Sequence, residues 1–183
     1  MSIALSSTDS ALAARVRDAI RDVPDFPVPG VLFRDVTPLL GDGDLFRETT
    51  DAMAAGFAGA GVTHVAGIES RGFILGAPVA QILRAGFIPI RKKGKLPGVT
   101  VARRYGLEYG TDELEMHRDA CGPGSRVLIV DDVLATGGTA SASAELVQDV
   151  GGSVTGFSFL AVLDALRGAA RLERFDVRTL LRL

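Results

Sequence analysis

At 183 residues and 47% hydrophobic side chains, the chain carries enough apolar material for one domain with a substantial core and needs no linker. A formal net charge of −2 excludes a general attraction to nucleic acid or to an anionic membrane surface, so positive charge has to act locally. Cys121 is the only cysteine, which excludes an intramolecular disulfide and a cysteine zinc cluster, and with no basic-then-apolar leader or membrane-length apolar run the expectation is a soluble, cytoplasmic protein.

Residues 8–22 begin with capping-type side chains and place Leu12, Val16, Ala19 and Ile20 on one face, so the spacing predicts an amphipathic helix ended by Pro24. PDFPVPG is too rich in proline for helix or central strand and reads as a rigid extended loop. It leads into VLFRDVTPLL, where Val31, Leu32 and Phe33 are equally suited to packing a planar ring or to simple core packing. A second helix is predicted over residues 44–60, and a buried strand over 62–68 delivers Glu69-Ser70-Arg71-Gly72 to its carboxyl end. Arg71 there is either a bidentate donor for a diphosphate or an ordinary surface arginine in a strand-to-helix loop. A helix over 73–84, closed by Gly86, and a short strand over 87–90 precede RKKGKLPG. That run packs Arg91, Lys92, Lys93 and Lys95 around Gly94 in an otherwise slightly acidic protein, which favours a local polyanion site over a solvated face. Residues 100–118 read as two antiparallel strands joined by a mobile turn, either a lid or a plain surface hairpin.

The run RVLIVDDVLATGGT, residues 126–139, organises the rest. Four β-branched or apolar residues, 127–130, form a strand buried on both faces of a parallel sheet. Asp131 and Asp132 follow at its carboxyl end, and Ala135-Thr136-Gly137-Gly138-Thr139 turns into a helical pattern that Gly151-Gly152 closes. Two glycines allow close backbone approach, and the free N–H groups of a helix start with threonine hydroxyls suit a phosphate monoester. Paired carboxylates beside such a cradle require ribose hydroxyls or a divalent cation such as Mg²⁺. Sugar phosphate plus metal satisfies both. A largely apolar strand over 153–163, a short helical stretch and a last strand near 175–180 complete an α/β pattern: a mainly parallel sheet covered on both faces, with the N-terminal segment as a lobe over its edge.

VLIVDDVLATGGT resembles the phosphoribosyl pyrophosphate (PRPP) binding motif of the type I phosphoribosyltransferases, and PDFPVPGVLFRDVTPLL and IRKKGKLPG resemble segments of the adenine-specific branch of that family. The resemblance covers most of residues 24–163. It implies the type I phosphoribosyltransferase fold with an N-terminal hood (residues 1–40) and a flexible hairpin lid (100–118) in a single domain. It implies that Leu32 and Arg34 contact adenine largely through backbone groups while Phe33 stacks on the ring. Glu69, Ser70 and Arg71 would form a pyrophosphate loop, with a cis peptide between Glu69 and Ser70. Arg91, Lys92 and Lys95 would contact pyrophosphate, Arg91 by reaching into the neighbouring subunit of a homodimer. In LEYG, Glu108 would be the acid/base or electrostatic group and Tyr109 a lid contact. Asp131 and Asp132 would hold ribose hydroxyls and would bind Mg²⁺ either directly or only through water. The implied reaction converts adenine and PRPP to AMP and pyrophosphate, with no nucleic-acid or membrane partner. The alternatives are a hypoxanthine/guanine or xanthine phosphoribosyltransferase and a non-catalytic PRPP-sensing regulator.

Overall fold

The computed structural model describes residues 4–5, 10–106 and 111–183. Its frame is an eight-stranded sheet in the order β1 (Ala4–Leu5), β10 (Val177–Arg182), β9 (Ser153–Val162), β8 (Arg126–Leu134), β4 (His64–Ile68), β5 (Gly86–Lys92), β7 (Thr111–His117) and β6 (Thr100–Gly106). From β1 to β5 neighbouring strands run parallel, whereas β7 joins β5 antiparallel and β6 completes a hairpin. Side chains of β8 explain the layering. Val127 and Ile129 are buried with α5 (Gly138–Asp149) on one face, while Leu128 and Val130 are buried with α3 (Gly43–Ala55) and α4 (Arg71–Leu83) on the other. A strand flanked by helices on both faces has to be apolar at successive positions, which is why VLIV reads as an unbroken run.

The topology opens a crevice at one place. The chain leaves β4 through α4 toward β5, and leaves β8 through α5 toward β9, so the two crossovers depart in opposite directions from adjacent strands. Ligands in open α/β sheets bind outside the strand ends at such a switch point. Pairing of β4 with β8 stops at Gly67 and Val130, but β8 runs on beside β9 as far as Leu134. The strand therefore does not end before the acids, as the sequence pattern suggests: Asp131 and Asp132 belong to β8 on the stretch where its β4 edge is free.

Several boundaries shift for local reasons. The first helix, α1 (Ser10–Ala19), buries Val16 but stops before Pro24, because Arg21–Pro24 becomes a strand, β2, paired antiparallel with β3 (Leu32–Asp35). Prolines confine this ribbon to an edge position without preventing it. A short helix α2 (Thr37–Gly41) follows. Asp42 caps α3 by accepting from the Leu45 N–H at 3.0 Å, and the helix ends at Ala55 rather than near residue 60. α4 begins at Arg71 and tolerates Pro78 inside it; its left-handed cap is Arg84, not Gly86, which already belongs to β5. The connection from β9 to β10 is two 3-10 turns, Asp164–Leu166 and Gly168–Leu172. Among the described residues no helix is long and apolar enough to cross a membrane.

Candidate active site

A cleft of about 550 Å³ lies over the carboxyl ends of β4 and β8. Its floor is the acid pair. Asp132 is buried and its N–H donates to Asp131 Oδ1 at 2.9 Å. Arg71, the first residue of α4, sets Nε 2.8 Å from Asp132 Oδ2, yet among the described residues that buried oxygen, with a cation beside it, accepts no well-aligned hydrogen bond. Burial, and then the adjacent Asp132 charge, push the Asp131 carboxyl well above the usual carboxylate range. Two acids so placed require donors: hydroxyl groups or a cation entering the cleft satisfy both. The approach is close because Gly72 lacks a side chain; a Cβ there would stand 2.8 Å from the Val130 carbonyl oxygen and 2.9 Å from Asp131 Oδ1.

On one side the cleft joins a small recess of about 70 Å³ lined by Ala135, Thr136, Gly137 and Thr139. Gly137 adopts φ +78° and turns the chain into α5, whose first residue is Gly138. The first N–H groups of a helix lack intrahelical acceptors, so this recess is a ready anion cradle. It is braced from behind. A Cβ on Gly137 would lie 2.5 Å from the Gly168 carbonyl oxygen, and a Cβ on Gly138 would lie 2.9 Å from the Gly106 carbonyl oxygen.

On the other side stands the β2–β3 ribbon. Leu32, Phe33 and Arg34 line the cleft, the Phe33 ring meets Phe26 edge-on at 5.0 Å, and the Arg71 guanidinium lies 4.9 Å from the Phe33 centroid. Arg71 thus links the aromatic wall to the acid floor. The Arg34 guanidinium is paired with Asp22, its partner in the ribbon register. Because β3 pairs, among the described residues, only with β2, its other edge keeps backbone donors and acceptors available, which suits recognition of a planar heterocycle by main-chain groups.

Glu69, Ser70 and Lys92 also line the cleft, and the Glu69–Ser70 peptide is cis. Lys92 Nζ sits 2.9 Å from Asp112 Oδ2. Arg91 and Lys95 do not line it: Arg91 Nε donates to Glu69 Oε2 at 2.9 Å and Nη1 to the Lys95 carbonyl oxygen at 2.9 Å, one step behind the wall. Glu108 and Tyr109 lie outside the described residues. The cleft also contains residues that the sequence motifs do not mark. Leu163 follows the end of β9, where no motif marks it; Tyr105, on β6, belongs to a hairpin whose pattern fits a lid or a plain surface hairpin and does not announce a wall of the cleft. Desolvation pushes the Tyr105 hydroxyl up. Another cavity, of about 330 Å³, lies beneath the 3-10 turns, but its Asp164 and Arg182 are already paired at 2.7 Å.

A family model described as phosphoribosyl transferase domain matches residues 46–179. An adenine phosphoribosyltransferase of Myxococcus xanthus is 57% identical over 176 residues, 96% of each chain. Among solved structures, adenine phosphoribosyltransferase of Rhodothermus marinus superposes with a TM-score of 0.92 at 52% identity, covering 96% of this chain and 100% of that one. The Saccharomyces cerevisiae enzyme, complexed with an imino-altritol bisphosphate and adenine, superposes with a TM-score of 0.86 at 35% identity, covering 93% and 98%. With an acid pair, a phosphate-type cradle and an aromatic hood meeting at one switch point, and with this similarity along nearly its whole length, the chain belongs to the phosphoribosyltransferase family, in its adenine phosphoribosyltransferase branch.

Proposed function

We propose that this protein transfers the 5-phosphoribosyl group of PRPP to N9 of adenine, releasing AMP and pyrophosphate. The observation that carries the reading is the arrangement of the cleft: anion cradle, acid floor and aromatic wall occur in the order in which phosphate, ribose and base follow one another in AMP. In this reading the cradle takes the 5-phosphate, Asp131 and Asp132 accept from the ribose hydroxyls, and Phe33 packs on the purine while the free β3 edge reads its rim. The N9–H proton passes to the Glu108 carboxylate in its acid/base role, and the N9 lone pair forms the bond to the anomeric carbon as the carbon–oxygen bond to pyrophosphate breaks, both electrons leaving with that oxygen. Arg71 and Lys92 stabilise the departing charge from fixed positions, and no covalent nucleophile is needed. Glu108 takes the acid/base role near the purine and Tyr109 is a lid contact.

Mg²⁺ fits this site in a limited way. Among the described residues no group of three or more His, Cys, Asp or Glu is placed to hold a metal, so Asp131 and Asp132 suit an ion that keeps its waters and substrate oxygens rather than a protein cage. When bound, it would supply charge neutralisation for the diphosphate.

We place the active form as a cytoplasmic homodimer. α4 and the start of β5 leave Ile74, Ile82 and Phe87 exposed, a set of large apolar side chains that a second copy would cover. Arg91 lies on the same strand as Phe87 and would reach the partner's pyrophosphate. Arg91→Ala is expected to lower kcat/KM by about 10- to 100-fold; normal turnover with unchanged PRPP affinity would remove that role. The reading as a whole is tested by product analysis: adenine, PRPP and Mg²⁺ should give AMP and pyrophosphate in equal amounts, and PRPP binding without AMP would contradict it.

A further inference from the structure

Asp132 and Glu115 are the two least exposed acids among the described residues, and of these two only Asp132 has a place in the cleft. Glu115 sits on β7 between Leu114 and Met116, which are buried in the core on the other face. Strand alternation therefore assigns Glu115 to the outer face, where a glutamate ordinarily stays hydrated. Here it is 4% exposed, because the loop that follows β5 folds over it. That loop is the basic run.

The contacts are to its backbone. Glu115 Oε1 accepts from the Lys95 N–H at 2.9 Å and the Leu96 N–H at 2.8 Å, and Oε2 accepts from the Thr100 hydroxyl at 3.4 Å. Burial pushes this carboxyl up, but the N–H groups of Leu96, Gly94 and Lys95 and the Thr100 hydroxyl outweigh it and leave it below the usual range. Gly94, at φ +81°, makes the turn that aims successive N–H groups inward. The same peptide unit has a second engagement on the cleft side: the Lys95 carbonyl accepts from Arg91, and Arg91 also donates to Glu69, which lines the cleft beside Ser70 and Arg71.

We infer that Glu115 is a positioning residue for the pyrophosphate side of the reaction, an internal anion on which the Gly94–Leu96 backbone closes so that Glu69 is held at the wall of the cleft and Arg91 and Lys95 are held in place for pyrophosphate. The inference rests on the transferase reading above. Glu115 does not touch the substrate; it acts through the loop, by reach more than by charge, since a single oxygen takes both N–H groups.

Reach and charge separate by substitution. Glu115→Gln keeps an oxygen at the same distance and is expected to leave the PRPP KM within about threefold of wild type, whereas Glu115→Ala and Glu115→Asp, which is one methylene short, should raise it about tenfold or more with the adenine KM within about twofold. Titration of Mg²⁺-pyrophosphate into each protein should show the same order. Near-wild-type PRPP KM in both Ala and Asp variants overturns the inference, as does an equal rise in both KM values, which would mark a merely structural role. If the Ala variant does not fold, the Asp and Gln pair decides. In wild-type protein the Lys95 and Leu96 amides should exchange slowly with solvent; free exchange at both overturns the contact itself. If the wild type forms no AMP, the transferase reading fails, and the pyrophosphate titration still judges Glu115 separately.

Discussion

Replacing Asp131 and Asp132 together by asparagine should lower kcat/KM for PRPP by about a thousandfold, or ~4 kcal/mol of transition-state stabilisation, in a protein that still folds. The size follows from what the pair does in the proposed reaction. As positive charge develops on the ribose ring, the acid pair at the floor of the cleft stabilises it and holds its hydroxyls; two amides of the same shape keep the contacts without the charge. Stability should move the other way. The Asp131 carboxyl is raised by burial and by Asp132, so the folded state holds its proton more tightly than the unfolded chain does. Folding stability from this group is fully present below the unfolded carboxylate pKa and is lost as pH rises toward the raised folded value. Asp131→Asn removes that loss, so its Tm at neutral pH should equal or exceed that of wild type while activity falls. A Tm well below wild type would mean that the acid supports the fold rather than the chemistry.

Gly137→Ala should raise the PRPP KM by about 100-fold through two separable effects, the cost of a left-handed residue and a collision. The φ of +78° alone costs about 1–2 kcal/mol for a residue with a Cβ. Beyond that, the new methyl group would stand 2.5 Å from the Gly168 carbonyl oxygen, a backbone atom that cannot swing aside, so the cradle has to shift. Gly124→Ala separates these effects: Gly124 has φ +87° but nothing within 4 Å of where its methyl group would stand, and it lies in the turn before β8, at the far end from the cleft. It should cost stability and leave the PRPP KM unchanged. Equal KM effects in the two variants would show that no close approach shapes the cradle.

How far these features are legible in the chain depends on whether local pattern and tertiary role agree. VLIV announces a doubly covered strand because both faces of β8 are apolar layers. The extension of that strand through Asp131 to Leu134 is not legible, since two acids look like a strand end and only the continued pairing with β9 shows otherwise. The β2–β3 ribbon is hidden by its prolines, which forbid a central strand and permit an edge. Arg84 as a left-handed cap gives no signal, because glycine two positions later is the conventional marker. Glu115 is invisible for a related reason: on an alternating strand it reads as solvent-facing, and its burial comes from a loop twenty residues earlier in the chain. Leu32, Phe33, Arg71 and the acid pair do converge in one cleft, whereas Arg91 and Lys95 stand behind its wall, held there by contacts that the basic run does not announce.

The most direct measurement of the central claim is pyrophosphate release from PRPP and Mg²⁺ with adenine, hypoxanthine, guanine or xanthine supplied one at a time, with the Asp131→Asn/Asp132→Asn protein alongside. Release with adenine alone, absent in the double variant, is the predicted result; release with an oxopurine in place of adenine, or none with any base despite PRPP binding, would contradict it.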